Sequence, residues 1–118
     1  MDKVTNESQL QQVRGLLRAC DLFLDLNGRL PLRCVQGFLA VAKRPGQSVG
    51  DYARMCRLSP STMSRNLLAI GDRNRWMEKG YGLVRDRKNP NNKREREYYL
   101  TAEGEALLRK ILAQIVRR

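Results

Sequence analysis

The chain has 118 residues, of which 42% are apolar and 30% charged, and its formal net charge is +11. This length fits a single small domain with a modest core, and the apolar share argues against wholesale disorder. The sequence contains no histidine, no C-x-x-C pair and no apolar run of membrane-spanning length. We therefore expect no structural zinc site, no histidine-based active site and no transmembrane helix.

The charge is concentrated after the first 28 residues. Residues 1–28 hold three basic and four acidic side chains, whereas residues 29–118 hold 20 basic and eight acidic ones. A basic block of this size favours an anionic partner, most commonly duplex DNA. The alternative is a solvated basic surface that only aids solubility.

The cysteines and the N-terminus indicate a cytoplasmic protein. Cys20, Cys34 and Cys56 are widely spaced and odd in number, which is typical of reduced thiols. No signal-peptide pattern opens the chain. The sequence also lacks a P-loop, a nucleophile-elbow serine and acids at metal-binding spacing, so we expect neither an enzyme nor a cofactor.

The first predicted helix covers residues 7–26 and ends at Asn27-Gly28. Its apolar residues alternate at spacings of three and four, and Leu16 and Phe23 widen the stripe. The stripe consists of Leu10, Val13, Leu17, Cys20 and Leu24. Such a stripe either packs on its own domain or pairs with a second copy of the chain.

Three further helices are predicted before the basic hairpin. The second covers roughly residues 31–43, with an inner face of Val35, Phe38, Leu39 and Ala42. The third begins at Ser48, which forms a capping box with Asp51, and buries Val49, Tyr52, Ala53 and Cys56. The fourth opens with Ser59-Pro60 and turns Met63, Leu67 and Ile70 to the core. Its outward face then offers Ser61, Thr62, Ser64, Arg65 and Asn66.

A basic hairpin and a last helix complete the chain. Residues 73–82, with Trp76, form a connection. Strands at 83–88 and 95–100 then flank a turn of Asn89, Pro90, Asn91 and Asn92. Thr101 is predicted to cap a helix whose apolar stripe contains Leu107, Leu108, Ile111, Leu112, Ile115 and Val116.

This order of elements predicts a mainly α fold with a small β-wing, the winged helix-turn-helix. Residues 1–28 would form an N-terminal dimerisation helix, and residues 29–100 would form the DNA-binding domain. Residues 101–118 would pack on the N-terminal helix or join a dimer interface. The seam residues are Leu10, Val13, Leu17, Cys20, Leu24, Leu108, Ile111, Leu112 and Ile115.

Two segments resemble the MarR family of bacterial regulators. Ser59-Pro-Ser-Thr-Met-Ser-Arg65 is similar to the start of the family's recognition helices. The family also carries Asp-x-Arg-x5-Leu-Thr-x-x-Gly from the second wing strand into the next helix. Here the chain reads Asn92-Lys-Arg94, five residues, then Leu100-Thr101-Ala-Glu-Gly104, so only the acid is replaced. The resemblance covers roughly residues 31–110.

The chain departs from the family pattern in its connection and at its end. Residues 73–82 make a longer connection than is usual, and no further dimerisation helix follows the C-terminal stripe. A compact version of this kind would suit a regulator encoded by a phage or mobile element.

The resemblance implies a sequence-specific regulator that binds double-stranded DNA, a repressor acting as a homodimer on a near-palindromic site. The recognition-helix residues would be Ser59, Ser61, Thr62, Ser64, Arg65 and Asn66. The wing residues would be Arg85, Arg87, Lys88, Asn92, Lys93, Arg94 and Arg96, with Arg94 at the tip and Arg87 and Lys88 on phosphates.

Other readings remain open at this point. A winged helix can instead dock on polymerase or on another regulator, or bind duplex DNA without sequence preference in an architectural or replication role. The wing could also be an exposed charged hairpin whose charges pair internally, for instance Arg94 with Glu95. Whether a small-molecule effector releases the DNA is likewise open.

Overall fold

The computed structural model describes residues 7–71 and 80–115, apart from the side chain of Lys93. The elements are α1 (Glu7–Leu24), α2 (Leu32–Lys43), α3 (Val49–Cys56), α4 (Pro60–Ile70), β1 (Val84–Asn89), β2 (Asn92–Leu100) and α5 (Ala102–Ile115). The predicted fold class, mainly α with a small β-wing, is confirmed. The predicted connection lies outside these ranges for residues 73–79, including Trp76, and so does Val116 of the last stripe.

The chain divides into two compact units. The first contains α1 and the later part of α5, and the second contains residues 31–105, hence α2, α3, α4 and the hairpin. Both elements proposed to contact DNA, α4 and the hairpin, therefore lie in one unit.

In the first unit, α1 and α5 meet through small residues. A Cβ atom at Gly15 would overlap the carbonyl oxygen of Gln114, so only glycine allows this approach. Arg18 donates through Nε to Oε1 of Gln114 at 2.7 Å. The buried face of α1 consists of Gly15, Ala19 and Phe23, spaced by four residues. Within this unit, α1 and α5 are therefore in direct contact.

The predicted apolar stripe of α1 is a different face from the buried one. Its residues are exposed, Leu10 at 46%, Val13 at 52%, Leu17 at 61% and Leu24 at 45%, and Cys20 is exposed as well. Within the first unit the stripe is not the face of α1 that packs on α5, because the close helix approach selects the glycine and alanine face. The predicted seam residues of α5 differ in exposure, since Ile111 is 2% exposed whereas Leu112 is 46% exposed. Ile111 belongs to the interior; Leu108 and Ile115 are half-buried.

Helix α2 buries a face rotated from the predicted one. Its buried residues are Cys34, Gly37, Phe38, Ala40 and Val41. The predicted inner residue Leu39 is 41% exposed, and Val35 and Ala42 are half-buried. The ideal Cβ position of Gly37 lies 3.7–3.8 Å from side-chain atoms of α4, so the face with the small residue is the one that packs on α4.

Helix α3 starts and stops as its sequence predicts. Ser48 accepts a hydrogen bond from the Asp51 backbone N–H at 3.2 Å, and the Asp51 carboxylate accepts from the Ser48 N–H at 3.2 Å. The bond from the Ser48 backbone is the main reason that the pKa of Asp51 is lowered. Arg57, with φ of 58°, ends the helix in a left-handed conformation and forms the turn towards α4. Of the predicted inner face, Tyr52 and Ala53 are buried.

The hairpin is a two-stranded antiparallel sheet that pairs Arg85 with Tyr99 and Arg87 with Glu97. Its turn is shorter than predicted, because β2 begins at Asn92 rather than at residue 95. Gln47 adds an isolated bridge to Tyr98, which ties the hairpin to the start of α3.

The segment Leu100-Thr101-Ala-Glu-Gly104 joins the wing to α5. Thr101 caps α5 by accepting from the Gly104 N–H at 3.0 Å, and it donates to the carbonyl of Gly82 at 2.5 Å. A Cβ atom at Gly104 would overlap the carbonyl oxygen of Leu83. Glycine at this position is therefore a packing requirement of the wing base.

Candidate nucleic-acid interface

Helix α4 presents a polar surface because its apolar residues anchor the opposite side. Met63, Leu67 and Ile70 are at most 1% exposed, and α4 packs on α2 and α3. The anchors recur at spacings of four and three, so Ser61, Ser64 and Arg65 are left exposed. Arg65 forms no ion pair with any residue in the described ranges. An unpaired guanidinium on a helix surface can bind the edge of a guanine through two donors.

Three hydroxyl groups cluster at the N-terminus of α4. Ser59 accepts from the Thr62 backbone N–H at 3.2 Å, which makes it the N-cap that the sequence predicts. The Ser59 hydroxyl also lies 3.0 Å from Oγ1 of Thr62 and 3.2 Å from Oγ of Ser61. Ser59 therefore serves as the cap of α4, whereas Ser61 is exposed and does not cap the helix. The exposed amide end of a helix that carries such hydroxyls favours a phosphate.

Asn66 does not lie on the exposed face, and its predicted outward position is wrong. The residue is half-buried, and its Nδ2 atom is buried without a hydrogen-bond partner among the described residues. The Cys34 thiol of α2 makes a long contact to Oδ1 at 4.0 Å. Asn66 immediately precedes the anchor Leu67, so helical geometry turns it towards α2.

On one face of the wing, Arg87 is tied to acidic and aromatic partners. Its Nε donates to Glu97 at 3.0 Å and its second guanidinium nitrogen donates to the Tyr99 hydroxyl at 2.8 Å. The guanidinium carbon lies 4.7 Å from the Tyr99 ring centroid, and that of Arg85 lies 5.2 Å from the same centroid. The bond to Glu97 is the main cause of a raised pKa for Arg87. Arg85 and Arg87 are thus held against Tyr99 rather than extended from the wing.

On the opposite face, Arg96 is tied to an acid. Its Nε donates to Oδ2 of Asp86 at 2.6 Å. The internal pairing that the sequence left open is therefore real, although it joins Arg96 to Asp86 and Arg87 to Glu97 rather than Arg94 to Glu95.

The cations near the tip of the wing are not held by acidic side chains of the described residues. Lys88 and Arg94 are exposed and form no ion pair with the described residues. Asn92 accepts from the Arg94 backbone N–H at 3.1 Å and so shapes the start of β2. Asn92 stands where the motif that the chain resembles has an acid, and it shapes this turn without adding a negative charge beside Arg94. Lys93, also predicted for the wing, has its side chain outside the described residues.

The base of the wing is joined directly to the end of α4. Leu83 donates its N–H to the carbonyl of Ile70 at 2.7 Å, and Gly82 donates to Gly71 at 2.7 Å. A shallow cleft of about 110 Å³ separates the two elements. Its lining comes from Ser64, Leu67, Leu68, Gly71, Val84, Arg85, Asp86 and Tyr98. These contacts fix the base of the wing beside α4.

The sequence reasoning missed Asp86, Glu97 and Tyr99. Acids alternate with arginines in Arg85-Asp86-Arg87 and again in Arg94-Glu95-Arg96-Glu97, which is a signal of cross-strand pairing. The signal did not specify partners, because these depend on the strand register.

Other kinds of site find no support in the described ranges. No group of three or more metal-ligating side chains occurs there. No helix in that part of the chain is long and apolar enough to span a bilayer. All three cysteines are free thiols, and burial raises the pKa of Cys34.

The geometry defines a winged helix-turn-helix, and known structures share it. A MarR family transcription regulator is 24% identical, with a TM-score of 0.62 over 88% of this chain and 66% of its own. The PcaV regulator of Streptomyces coelicolor is 17% identical, with a TM-score of 0.62 over 93% of this chain and 76% of its own. FabT of Streptococcus pneumoniae, solved in complex with DNA, is 13% identical, with a TM-score of 0.53 over 65% of this chain and 48% of its own.

These likenesses establish that the chain has the fold of MarR family transcription regulators. The resemblance noted in the motifs is thereby confirmed at the level of the fold. The chain spans about two thirds of the length of the first of these structures. No protein-family model and no curated protein sequence matches it.

Proposed function

We propose that this protein is a transcription regulator that binds double-stranded DNA and recognises its sequence through α4. The observation that carries the proposal is that the wing base is bonded to the end of α4, while the outward side of α4 and the tip of the wing carry exposed polar and basic side chains. Ser61, Ser64 and Arg65 would enter the major groove, and Lys88 and Arg94 would contact the backbone or minor groove. A basic chain with a net charge of +11 suits this partner.

A homodimer is the second part of the proposal. The exposed stripe of α1, Leu10, Val13, Leu17 and Leu24, leaves a continuous apolar surface that water disfavours. Pairing of two such stripes would cover it and would present two α4 helices to half-sites about one helical turn apart, roughly 10 base pairs. A dimer on such a site acts most simply as a repressor that occludes the promoter. The chemistry of free thiols fits a cytoplasmic location.

Selection from random duplex DNA at near-physiological salt tests the proposal. A near-palindromic motif would support a dimeric, sequence-reading regulator. A single asymmetric motif would retain DNA recognition and remove the symmetric dimer. Absence of any enrichment would overturn sequence recognition and favour docking on polymerase or another regulator, or binding without sequence preference.

Analytical ultracentrifugation tests the dimer separately. Leu17→Glu places a charge on the most exposed leucine of the α1 stripe and should shift the protein towards monomer. Leu32→Glu is the matched control, because Leu32 is 73% exposed and lies at the start of α2, outside the stripe. Equal sedimentation of the wild type and Leu17→Glu at micromolar concentration, with and without DNA, would contradict pairing through α1.

A further inference from the structure

We infer that Asp86 is a positioning residue that limits DNA affinity by holding Arg96 away from phosphate. The inference rests on the proposed DNA-binding function and deepens it. In the wing, Arg96 lies directly opposite Lys88 in the strand register, and like charges opposite each other repel. Asp86 precedes Lys88 by two residues on β1 and lies on the same face, where its Oδ2 accepts a hydrogen bond from Arg96 Nε at 2.6 Å.

The ion pair of Asp86 and Arg96 affects DNA binding because of where Asp86 lies. Asp86 lines the cleft between the wing and α4 together with Ser64 of the proposed recognition surface. Its carboxylate therefore lies between the two elements that would face DNA, where it both repels phosphate and occupies a guanidinium. Arg96 and Asp86 keep side-chain exposures of 43% and 37%, so solvent and ligands reach both.

The ion pair on the other face of the wing joins Arg87 to Glu97 and differs in its exposure and in its partners. Glu97 keeps only 17% side-chain exposure and bonds to both Arg87 and Tyr99, so it serves the internal cohesion of the hairpin. Asp86 shows one ion pair and lines the cleft next to α4. Asp86 is thus the wing acid whose removal releases a cation at the interface.

The decisive variant is Asp86→Asn, which preserves the side-chain shape and removes the charge. Arg96 then becomes available to a phosphate, and we expect binding to tighten about twofold to fivefold, the scale of an exposed ion pair. The dependence of affinity on salt should steepen by about one released counterion. Asp86→Glu restores the charge and should return both values towards those of the wild type.

Two matched variants separate this effect from a general change in charge. Glu95→Gln removes the same charge from the other strand of the hairpin, at an exposed residue without an ion pair to the described residues. It should leave the salt dependence unchanged. Arg96→Gln should abolish the gain in the Asp86→Asn background, and it should weaken binding less in the wild type than in that background.

The experiment measures fluorescence anisotropy of a labelled random duplex, roughly 20 base pairs or two helical turns long, across a salt series. Steeper salt dependence in Asp86→Asn alone, lost on adding Arg96→Gln, is the expected result. Equal gains in Asp86→Asn and Glu95→Gln would overturn the inference, and so would a large loss from Arg96→Gln in the wild type. A wild-type protein that binds no duplex even at low salt would instead refute the proposed function itself.

Discussion

Helix α4 and the wing offer opposite kinds of surface to a nucleic acid. The helix has a single outward arginine, Arg65, and it is unpaired in the described part of the chain. The wing carries six basic residues within twelve positions, yet Arg87 and Arg96 are held by acids and Arg85 lies against Tyr99. The wing therefore carries more basic residues than α4, but several of them are already held by other side chains and are not available to bind DNA.

The difference teaches that a count of basic residues overstates the phosphate-binding capacity of a hairpin. Exposed ion pairs contribute little to stability, but each competes with an external anion for its cation. A single free guanidinium on a helix can instead discriminate between bases, because the edges of base pairs in the major groove differ in their donors and acceptors. We expect α4 to determine sequence preference and the wing tip to supply sequence-independent affinity.

The largest expected effect follows from Arg65→Ala. Loss of a bidentate base contact should cost about 1–3 kcal/mol on the selected duplex and should relax the base preference at that position. Competition binding with a panel of single-base variants of the selected site measures both. Arg109→Ala removes the same charge from an exposed position on α5 and serves as the control. Unchanged affinity and preference in Arg65→Ala would mean that α4 does not read the bases.

Arg94→Ala should have a smaller and more uniform effect. Arg94 forms no ion pair with the residues that the structure describes, so its loss should weaken selected and random duplexes alike by about 1 kcal/mol. The salt dependence should become shallower by about one counterion. A loss confined to the selected sequence would instead assign base recognition to the wing and reverse the contrast with α4.

Asn66→Leu tests whether Asn66 belongs to the buried side of α4 or to its exposed, DNA-contacting face. Removing a buried, unsatisfied amide should raise the free energy of unfolding by about 1 kcal/mol, seen as a higher Tm. DNA affinity should not change, because Asn66 is turned towards α2. A clear drop in affinity, with the Tm unchanged or lower, would restore Asn66 to the DNA-contacting face.

The double substitution Arg87→Gln with Glu97→Gln should have the smallest effect on DNA binding. It leaves the net charge of the wing unchanged and removes a cation that is already paired at 3.0 Å. Affinity and salt dependence should both stay within error in the anisotropy series. A shallower salt dependence would show that Arg87 leaves Glu97 for a phosphate in the complex.

Local signals in the sequence predicted local structure well. The capping box of Ser48 and Asp51, the Ser59-Pro60 start of α4 and the Thr101 cap are all formed, because each involves residues within one turn of a helix. The anchors of α4 were likewise predicted, since a strong apolar period leaves one way to bury the helix.

Predictions that depended on a neighbouring element were less successful. The α1 stripe was identified, but the buried side of α1 is the small-residue face, which only the approach of α5 selects. The buried face of α2 differs from the predicted inner face for a related reason, because Gly37 packs on α4. Asn66 is the other exception, because a polar residue in a helix is expected at the surface whereas this one is half-buried next to Cys34 of α2.

By itself, the sequence determined the order of the helices, the hairpin with its basic residues and the polar face of α4, since these follow from periodicity, capping and turn chemistry between near neighbours in the chain. Tertiary structure alone decided which cations of the wing are free. Strand register places Glu97 opposite Arg87 and brings Asp86 to Arg96, and ion-pair distances depend on that register. The attachment of Leu83 to Ile70 then sets this wing beside α4.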